Sequence, residues 1–295
     1  MSIYVCNFNA DSVTVYAPQA EGDAVPLRTL RGPRTGLAQP IGLALDAAGR
    51  LHVANRAPGA GVTVHAADAE GDAPPLRCLR VPGFCSAQAV AVAPADAVLV
   101  ACAAAVDRVA SVLRFAPGET CGEAVIRGPA TGLAYPVGLA IDAPGMLLVA
   151  NGFGGVVAVY AADARGAPTP LRTFTPAVGS ARGLASAPGL LLVSGACLCL
   201  YPPEAPSDAR PVAVFGRSAR LPLQAAGGVA IRTGVGPPVL AVADFAGNAV
   251  HLIGTSGVAP VLGLASVRTI RGRATGLDRP SGVAFAPQDV SLAFA

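Results

Sequence analysis

Asparagine and aspartate close a series of apolar runs in this chain, and a polar side chain in that place is a candidate for chemistry. Asn7 ends YVCN, Asn55 ends LHVAN, Asn151 ends LLVAN and Asp244 ends LAVAD, while Cys102 and Gly195 hold the matching places in two further runs. Brought together at one mouth, three amides and one carboxylate could coordinate a hard cation such as calcium through oxygen, or hydrogen-bond a polar ligand. The same residue types also cap tight turns by bonding their own backbone. One carboxylate is little charge for a divalent ion, so neither a metal nor another cofactor is expected. The run at Cys102 departs from the others and lengthens into Ala103-Ala104-Ala105-Val106-Asp107-Arg108. An Asp107–Arg108 pair beside a thiol could bind an anion, and a neighbouring cation lowers a cysteine pKa. No His stands close in sequence to act as a base, and Cys102 reads equally as a small buried side chain.

The elements that would position these residues form a repeat. PIGLALDAAGRLHVANRAPGAGVTVHAADAEGDAPPLRCLR from Pro40 recurs as PVGLAIDAPGMLLVANGFGGVVAVYAADARGAPTPLRTF from Pro136. A period of roughly 45–54 residues marks a solenoid, a propeller or another array. Within one unit, Gly42–Asp46 reads as a strand of small and large residues in alternation, Leu51–Ala54 as a second, Val62–His65 as a third and Leu76–Arg80 as an outer one. Four antiparallel strands per unit is the pattern of a propeller blade. First strands start near residues 42, 89, 138, 183, 228 and 282, which gives six blades. Because the chain opens on a second strand, Ile3-Tyr4-Val5, the N-terminal strands are expected to close the blade that begins at Gly282. Val290–Phe294 also reads as a second strand, so two segments compete for one place. The fold class is therefore all-β, a single six-bladed β-propeller over residues 1–295.

Composition narrows the partners. The net charge is +3 across 295 residues, and all 21 basic residues are Arg. With no Lys, Schiff-base chemistry on a lysine is excluded. The arginines are dispersed, without a basic face and interleaved aromatics, so nucleic acid is not an expected partner. Arg28, Arg77, Arg127, Arg172 and Arg268 mark the outer strands, where a charged, solvated edge would discourage sheet-to-sheet association. Seven Cys without a C-x-x-C pair read as free thiols of a reducing compartment rather than a zinc site. His52 and His65 fall at apolar or aromatic strand positions, His65 aligning with Tyr16 and Tyr160. MSIYVCNFN lacks a basic and an apolar leader region. A cytoplasmic location is expected, or a trimmed secreted form, and no membrane segment is expected, since Leu190–Tyr201 is too short to span a bilayer.

The phrases YVCNFNADSVTVYAP, LHVANRAPGAGVTVHA and LLVANGFGGVVAVYA, with the linkers LRTLRGPRTGLAQPIGLALD and VIRGPATGLAYPVGLAID, resemble the repeat of NHL-type six-bladed β-propellers. The resemblance spans essentially the whole chain and implies the fold. Relatives of this shape include protein- and RNA-binding modules, gluconolactonase-type lactonases and strictosidine-synthase-like enzymes. The lactonase-like relatives hold a divalent metal in the channel with Glu, Asn and Asp. Here Glu21, Glu70, Glu119, Glu123 and Glu204 all read as loop residues between third and outer strands, away from the axis. The lectin-like propellers stack sugars on Trp, which this chain lacks.

What differs from blade to blade is the loop leading into each first strand, with Gln39, Cys85 and Gln88, Tyr135, Arg182, Gln224, and Asp278 with Arg279. Varied loops on a constant scaffold are how a propeller acquires specificity. The expected function is binding of a small polar molecule or a protein segment at the axial mouth, through Asn7, Asn55, Cys102, Asp107, Arg108, Asn151, Asp244 and Arg279. The alternative is an enzyme working in the channel, a lactonase-like hydrolase or a cofactorless cyclase or isomerase.

Overall fold

Six strands meeting at an axis leave little room, and the first strand of each repeat is built for that crowding. The structure is a computed structural model that describes residues 2–81, 85–93, 96–104, 109–234, 236–257 and 262–287. The described chain forms six four-stranded antiparallel sheets. Blade 1 runs outward through Pro40–Leu45, Leu51–Asn55, Val62–His65 and Arg77–Leu79; blade 2 through Cys85–Val92, Val98–Ala104, Ser111–Phe115 and Glu123–Arg127; blade 3 through Pro136–Ile141, Leu147–Asn151, Val157–Tyr160 and Arg172–Phe174. Blade 4 uses Gly183–Ala187, Leu190–Ser194, Leu198–Tyr201 and Ala213–Phe215, and blade 5 uses Ala226–Gly234, Gly236–Asp244, Ala249–Ser256 and Gly263–Ile270. Blade 6 joins Pro280–Phe285 to the N-terminal strands Ile3–Asn7, Ser12–Tyr16 and Arg28–Arg31. This is the closure expected from the sequence, with Tyr4 facing Ala284 and Val5 facing Val283. The proposed competing strand at 290–294 lies outside the described residues.

Neighbouring first strands touch through backbone. A Cβ on Gly228 would stand 2.8 Å from the Gly282 Cα, one on Gly282 3.2 Å from the Gly42 Cα, and one on Gly42 3.3 Å from the Ala89 Cα. The second strands are buried on both faces, all five residues in Leu51–Asn55, Leu147–Asn151 and Leu190–Ser194, as packing between two neighbouring blades requires. The second strand of blade 4 stops at Ser194, one residue before the Gly195 expected from the sequence. Glu123 begins an outer strand rather than lying in a loop.

Two of the five outer arginines depart from the solvated-edge expectation, while Arg127 is exposed. Arg172 donates to the Ala205 carbonyl at 2.8 Å and also to that of Pro203, and Arg268 donates to the Pro18 carbonyl at 3.0 Å. Each reaches into the loop of the next blade, so these guanidinium groups clasp blades together. A second clasp uses the tyrosine that ends the third strand. Tyr16 donates to the Thr275 carbonyl and Tyr160 to the Thr131 carbonyl, both at 2.6 Å. Those carbonyls belong to the linkers that precede the first strands of the same blades. In blade 1 the same place holds His65, fully buried, with no partner for either ring nitrogen.

Two consequences can be measured. Gly228→Ala forces backbone apart and is expected to cost ~1–3 kcal/mol in a urea melt, with Gly42→Ala, whose Cβ meets nothing closer than 3.2 Å, costing less; equal costs would count against the crowded-axis account. Burial pushes the His65 pKa down to about 4. Since an unfolded histidine takes its proton near pH 6.5, the fold loses stability as the pH falls from there toward 4, by up to about 1.4 kcal/mol per pH unit. His65→Tyr should remove that slope and supply the missing hydroxyl clasp, so its stabilisation must be larger near pH 5 than near pH 8.

Candidate functional site

The linker into each first strand and the turn between second and third strands meet at one end of the axis. Their meeting is organised by the residue that ends the second strand. Asn55 accepts the Ala38 N–H at 3.0 Å, Asn151 accepts the Ala134 N–H at 2.8 Å, and Asn7 accepts the Asp278 N–H at 3.3 Å. The other side of each amide is used as well: Asn7 donates to Thr14 at 3.0 Å and Asn55 to Thr63 at 3.3 Å. In blade 5 the amide becomes a carboxylate. Asp244 accepts the N–H groups of Gln224 at 2.9 Å, Ala225 at 2.8 Å and Gly247 at 3.0 Å, and its partner threonine is replaced by His251, whose Nε2 stands 3.3 Å away. These four side chains are buried. They latch a lead-in loop some distance away in sequence rather than capping their own turns, Gly247 apart.

The latch sets the next residue. Directly after Asn55, the Arg56 N–H donates to the Gln39 carbonyl at 3.0 Å; after Asn151, Gly152 donates to Tyr135 at 2.9 Å; after Asn7, Phe8 donates to Arg279 at 3.2 Å; after Asp244, Phe245 donates to Ala225 at 3.0 Å. Successive strand residues point to opposite sides, so the latch side chain turns into the wall and its successor turns into the opening. Gln39, Tyr135 and Arg279 all adopt left-handed backbone, φ 52°, 57° and 51°, although each precedes a proline and lacks the freedom of glycine. The Gln39 N–H donates to Asp11 at 2.6 Å and the Arg279 N–H to Asn248 at 2.8 Å, which holds two of these turns from the preceding blade.

The opening is a cavity of about 490 Å³ whose floor and walls are the first strands, with Leu43, Val90, Leu139, Leu184, Val229 and Val283 among the lining. Its rim carries Phe8, Arg56, Gln88, Tyr135, Phe153, Arg182 and Phe245. Phe8 and Phe245 pack edge to face with centroids 5.8 Å apart; Arg56 lies over Phe8 at 5.8 Å and Arg279 over Phe245 at 5.3 Å. Tyr135 and Phe153 form a second aromatic pair at 4.8 Å, with Phe153 67% exposed. Gln88 is buried and donates to Ser86 at 2.8 Å. Arg56, Arg182 and Arg279 are exposed, and none makes an ion pair among the described residues.

The residues singled out from sequence therefore sort by place. Asn7, Asn55, Asn151 and Asp244 stand directly behind the rim, and Arg279 lies against the rim residue Phe245, beside the lining rather than in it. Cys102 lies inside a strand that continues to Ala104, paired with Ala87 and Ser111. It is fully buried, and a bond with Cys85 together with burial pushes its thiol well above the ordinary cysteine range, which keeps it protonated. Asp107 and Arg108 lie outside the described residues. Sequence reasoning named Gln88, Tyr135 and Arg182 as varied loop residues and missed Phe8, Arg56, Phe153 and Phe245. The available signal was the bulky or charged residue that follows each latch, in Asn-Phe, Asn-Arg, Asn-Gly-Phe and Asp-Phe.

A divalent ion does not fit this lining. Among the described residues no Asp, Glu or His lines the cavity, the oxygens of Asp244 are engaged in the latch, and no group of three or more His, Cys, Asp or Glu could hold a metal. None of the seven cysteines is in a disulfide, and no helix among the described residues is long and apolar enough to cross a membrane.

Fold and mouth together define a six-bladed β-propeller of four-stranded blades. No family model and no curated protein matches the sequence. Solved structures do match the shape. A protein of unknown function from Bacteroides caccae aligns with a TM-score of 0.63 at 12% identity over 96% of this chain and 97% of that one. The periplasmic gluconolactonase PpgL of Pseudomonas aeruginosa aligns at 0.58, 18% identity, over 94% and 85%. The PQQ-bound aldose sugar dehydrogenase of Streptomyces coelicolor aligns at 0.57, 13% identity, over 91% and 91%. At these identities the likeness is one of fold.

The Asp244 latch yields a pH test. Burial raises the carboxyl pKa, but the His251 contact and the Ala225, Gln224 and Gly247 amides outweigh it and bring the pKa down to about 2. A depressed carboxylate stabilises the fold above its unfolded value of about 3.9 and stops doing so as the pH falls through the folded value. Asp244→Asn should be less stable than the parent at neutral pH, and the gap should close between pH 4 and 2. A gap that stays constant over that range would show that the charge plays no part.

Proposed function

We propose that this chain is a small-molecule-binding propeller of NHL-type repeat units that takes an organic anion at its axial mouth. The observation that carries the reading is the charge of the rim: Arg56 and Arg182 line the cavity, Arg279 lies against the rim residue Phe245, and among the described residues no carboxylate lines it. Guanidinium groups bind carboxylates and phosphates through paired hydrogen bonds, and the apolar walls below would receive the body of the ligand. In this reading Arg56 and Arg182 contact the ligand, Arg279 adds positive charge beside them, and Asn7, Asn55, Asn151 and Asp244 position the rim. Asp107 and Arg108 remain proposed members of the mouth on the blade 2 side, with Cys102 buried in the wall behind them. A protein segment with an acidic residue would use the same chemistry, but a recessed cavity favours a small molecule.

The likeness of shape to a gluconolactonase favours a second reading, a hydrolase of cyclic esters. On the described residues its chemistry would have to proceed without a carboxylate in the lining, where Gln88, Tyr135, Ser180 and Ser281 supply uncharged polar groups.

The test is a thermal-shift panel of carboxylates and phosphates against neutral analogues of matched size, with lactone turnover followed in parallel with and without added divalent metals. Anions should raise the melting temperature, the rise should shrink with added salt, and Arg56→Ala and Arg182→Ala should each weaken binding, by about tenfold for an anion that engages both arginines. Preference for neutral ligands, or lactone turnover that these substitutions leave intact, would overturn the anion reading.

A further inference from the structure

The rim groups are not scattered evenly. The first strands pack in the circular order of blades 1 to 6 and back to 1, so blade 4 faces blade 1 and blade 3 faces blade 6. Arg56 belongs to blade 1 and Arg182 to blade 4. Two guanidinium groups thus stand on opposite walls. The aromatic pairs occupy the other diameter: Phe8 and Phe245 on blades 6 and 5, Tyr135 and Phe153 on blade 3. The Arg56 guanidinium reaches over Phe8, at the edge of the first aromatic pair, and Arg182 belongs to the opposite blade. Arg279 lies against the Phe245 face and is not among the residues that line the cavity, which leaves Arg56, whose guanidinium also touches Phe8, and Arg182 as the facing pair in the lining.

We infer that the ligand of this mouth is a planar, conjugated dianion with its two acidic groups at opposite ends. The inference rests on the anion reading above and narrows it. A carboxylate at each end meets one guanidinium. The flat body between them lies along the Arg56–Arg182 line with its faces toward the two aromatic pairs, where ring faces and edges attract one another. A monoanion would leave one arginine without a counter-charge. A flexible aliphatic dianion would satisfy both arginines but would lose rotational freedom on binding and offer nothing to the aromatic walls. The cavity, about 490 Å³, has room for two or three fused rings.

The full chain tests this directly. It has no Trp, so naphthalene fluorescence can be followed without tryptophan emission. The probes are a naphthalenedicarboxylate with its acids at opposite ends, naphthoate, and suberate. The dicarboxylate is expected to bind at least about tenfold more tightly than either of the others, the worth of one further charge-assisted bond. Arg56→Gln and Arg182→Gln should each bring it to the naphthoate level while naphthoate itself loses about twofold, the factor for one binding end in place of two. Melting curves of both variants establish that they fold, and the three-probe series on the parent decides the matter if they do not. Naphthoate binding as tightly as the dicarboxylate would overturn the two-ended dianion and leave the anion site standing. Suberate matching the dicarboxylate would overturn the planar ligand. Binding of none of the three anions would remove both this inference and the anion reading beneath it.

Discussion

The contact on which the rest depends is backbone against backbone at the axis. Where Gly228 meets Gly282, Gly282 meets Gly42 and Gly42 meets Ala89, no side chain separates neighbouring first strands. Their separation fixes the bore of the channel and hence the width of the mouth. It also fixes the wedge shape of every blade, because the outer strands diverge from a common closest approach. Buried second strands such as Leu190–Ser194 then fill the wedge, and the arginine and tyrosine clasps close its outer rim. A bulkier axis would widen the ring, slacken every inter-blade cluster and move the rim residues apart together.

Above that axis, one hydrogen-bonding device is used with different substituents. A buried side chain at the end of the second strand takes the N–H of the lead-in loop, and the residue after it is pinned by its own backbone. This separates holding from displaying. The amide of Asn55 or Asn151 has its bonding capacity spent in the wall, so Arg56 directly after one latch, or Phe153 two residues after the other, is free to differ between blades at no cost to the latch. In blade 5 the latch itself differs, and the Asp244–His251 contact replaces Asn with Thr. An aspartate accepting three backbone N–H groups is a stronger anchor than an amide with one usable acceptor, and it stands beneath Phe245, the ring that carries Arg279.

The fold was legible because its causes are local and repeated. Small residues alternating with large ones in Gly42–Leu45 and Gly138–Ile141 mark strands that need close approach, and a run such as LLVAN marks a strand buried on both sides. The N-terminal closure followed from counting strands alone. The site was legible only to within one residue. Asn7, Asn55, Asn151 and Asp244 stand out in sequence because polar residues in apolar runs are conspicuous, yet a latch turned into the wall and a ligand group turned into the channel look the same until the direction of the side chain is known. The aromatic rim was hidden for the opposite reason. Phe8 and Phe245 lie 237 positions apart in the chain, and only closure of the ring brings their centroids to 5.8 Å. The clasps of Arg172 and Arg268 were misread as exposed charge because their acceptors are backbone carbonyls of the next blade, which carry no signature in sequence.

Blade 6 has a consequence in time. Its outer three strands are synthesised first and its innermost strand last, so a growing chain carries Ile3–Asn7 with an unpaired inner edge until Pro280–Phe285 has left the ribosome. Five blades can assemble in order while the sixth waits as a hairpin and a half. The last seam to be sewn is the one that sets Phe8 against Phe245 and seats Arg279 beside them. A chain cut short after blade 5 would keep nearly all of its strands and yet present an open edge on one side and half a rim on the other. The mouth is thus completed only when the innermost strand of blade 6 pairs with the N-terminal strands.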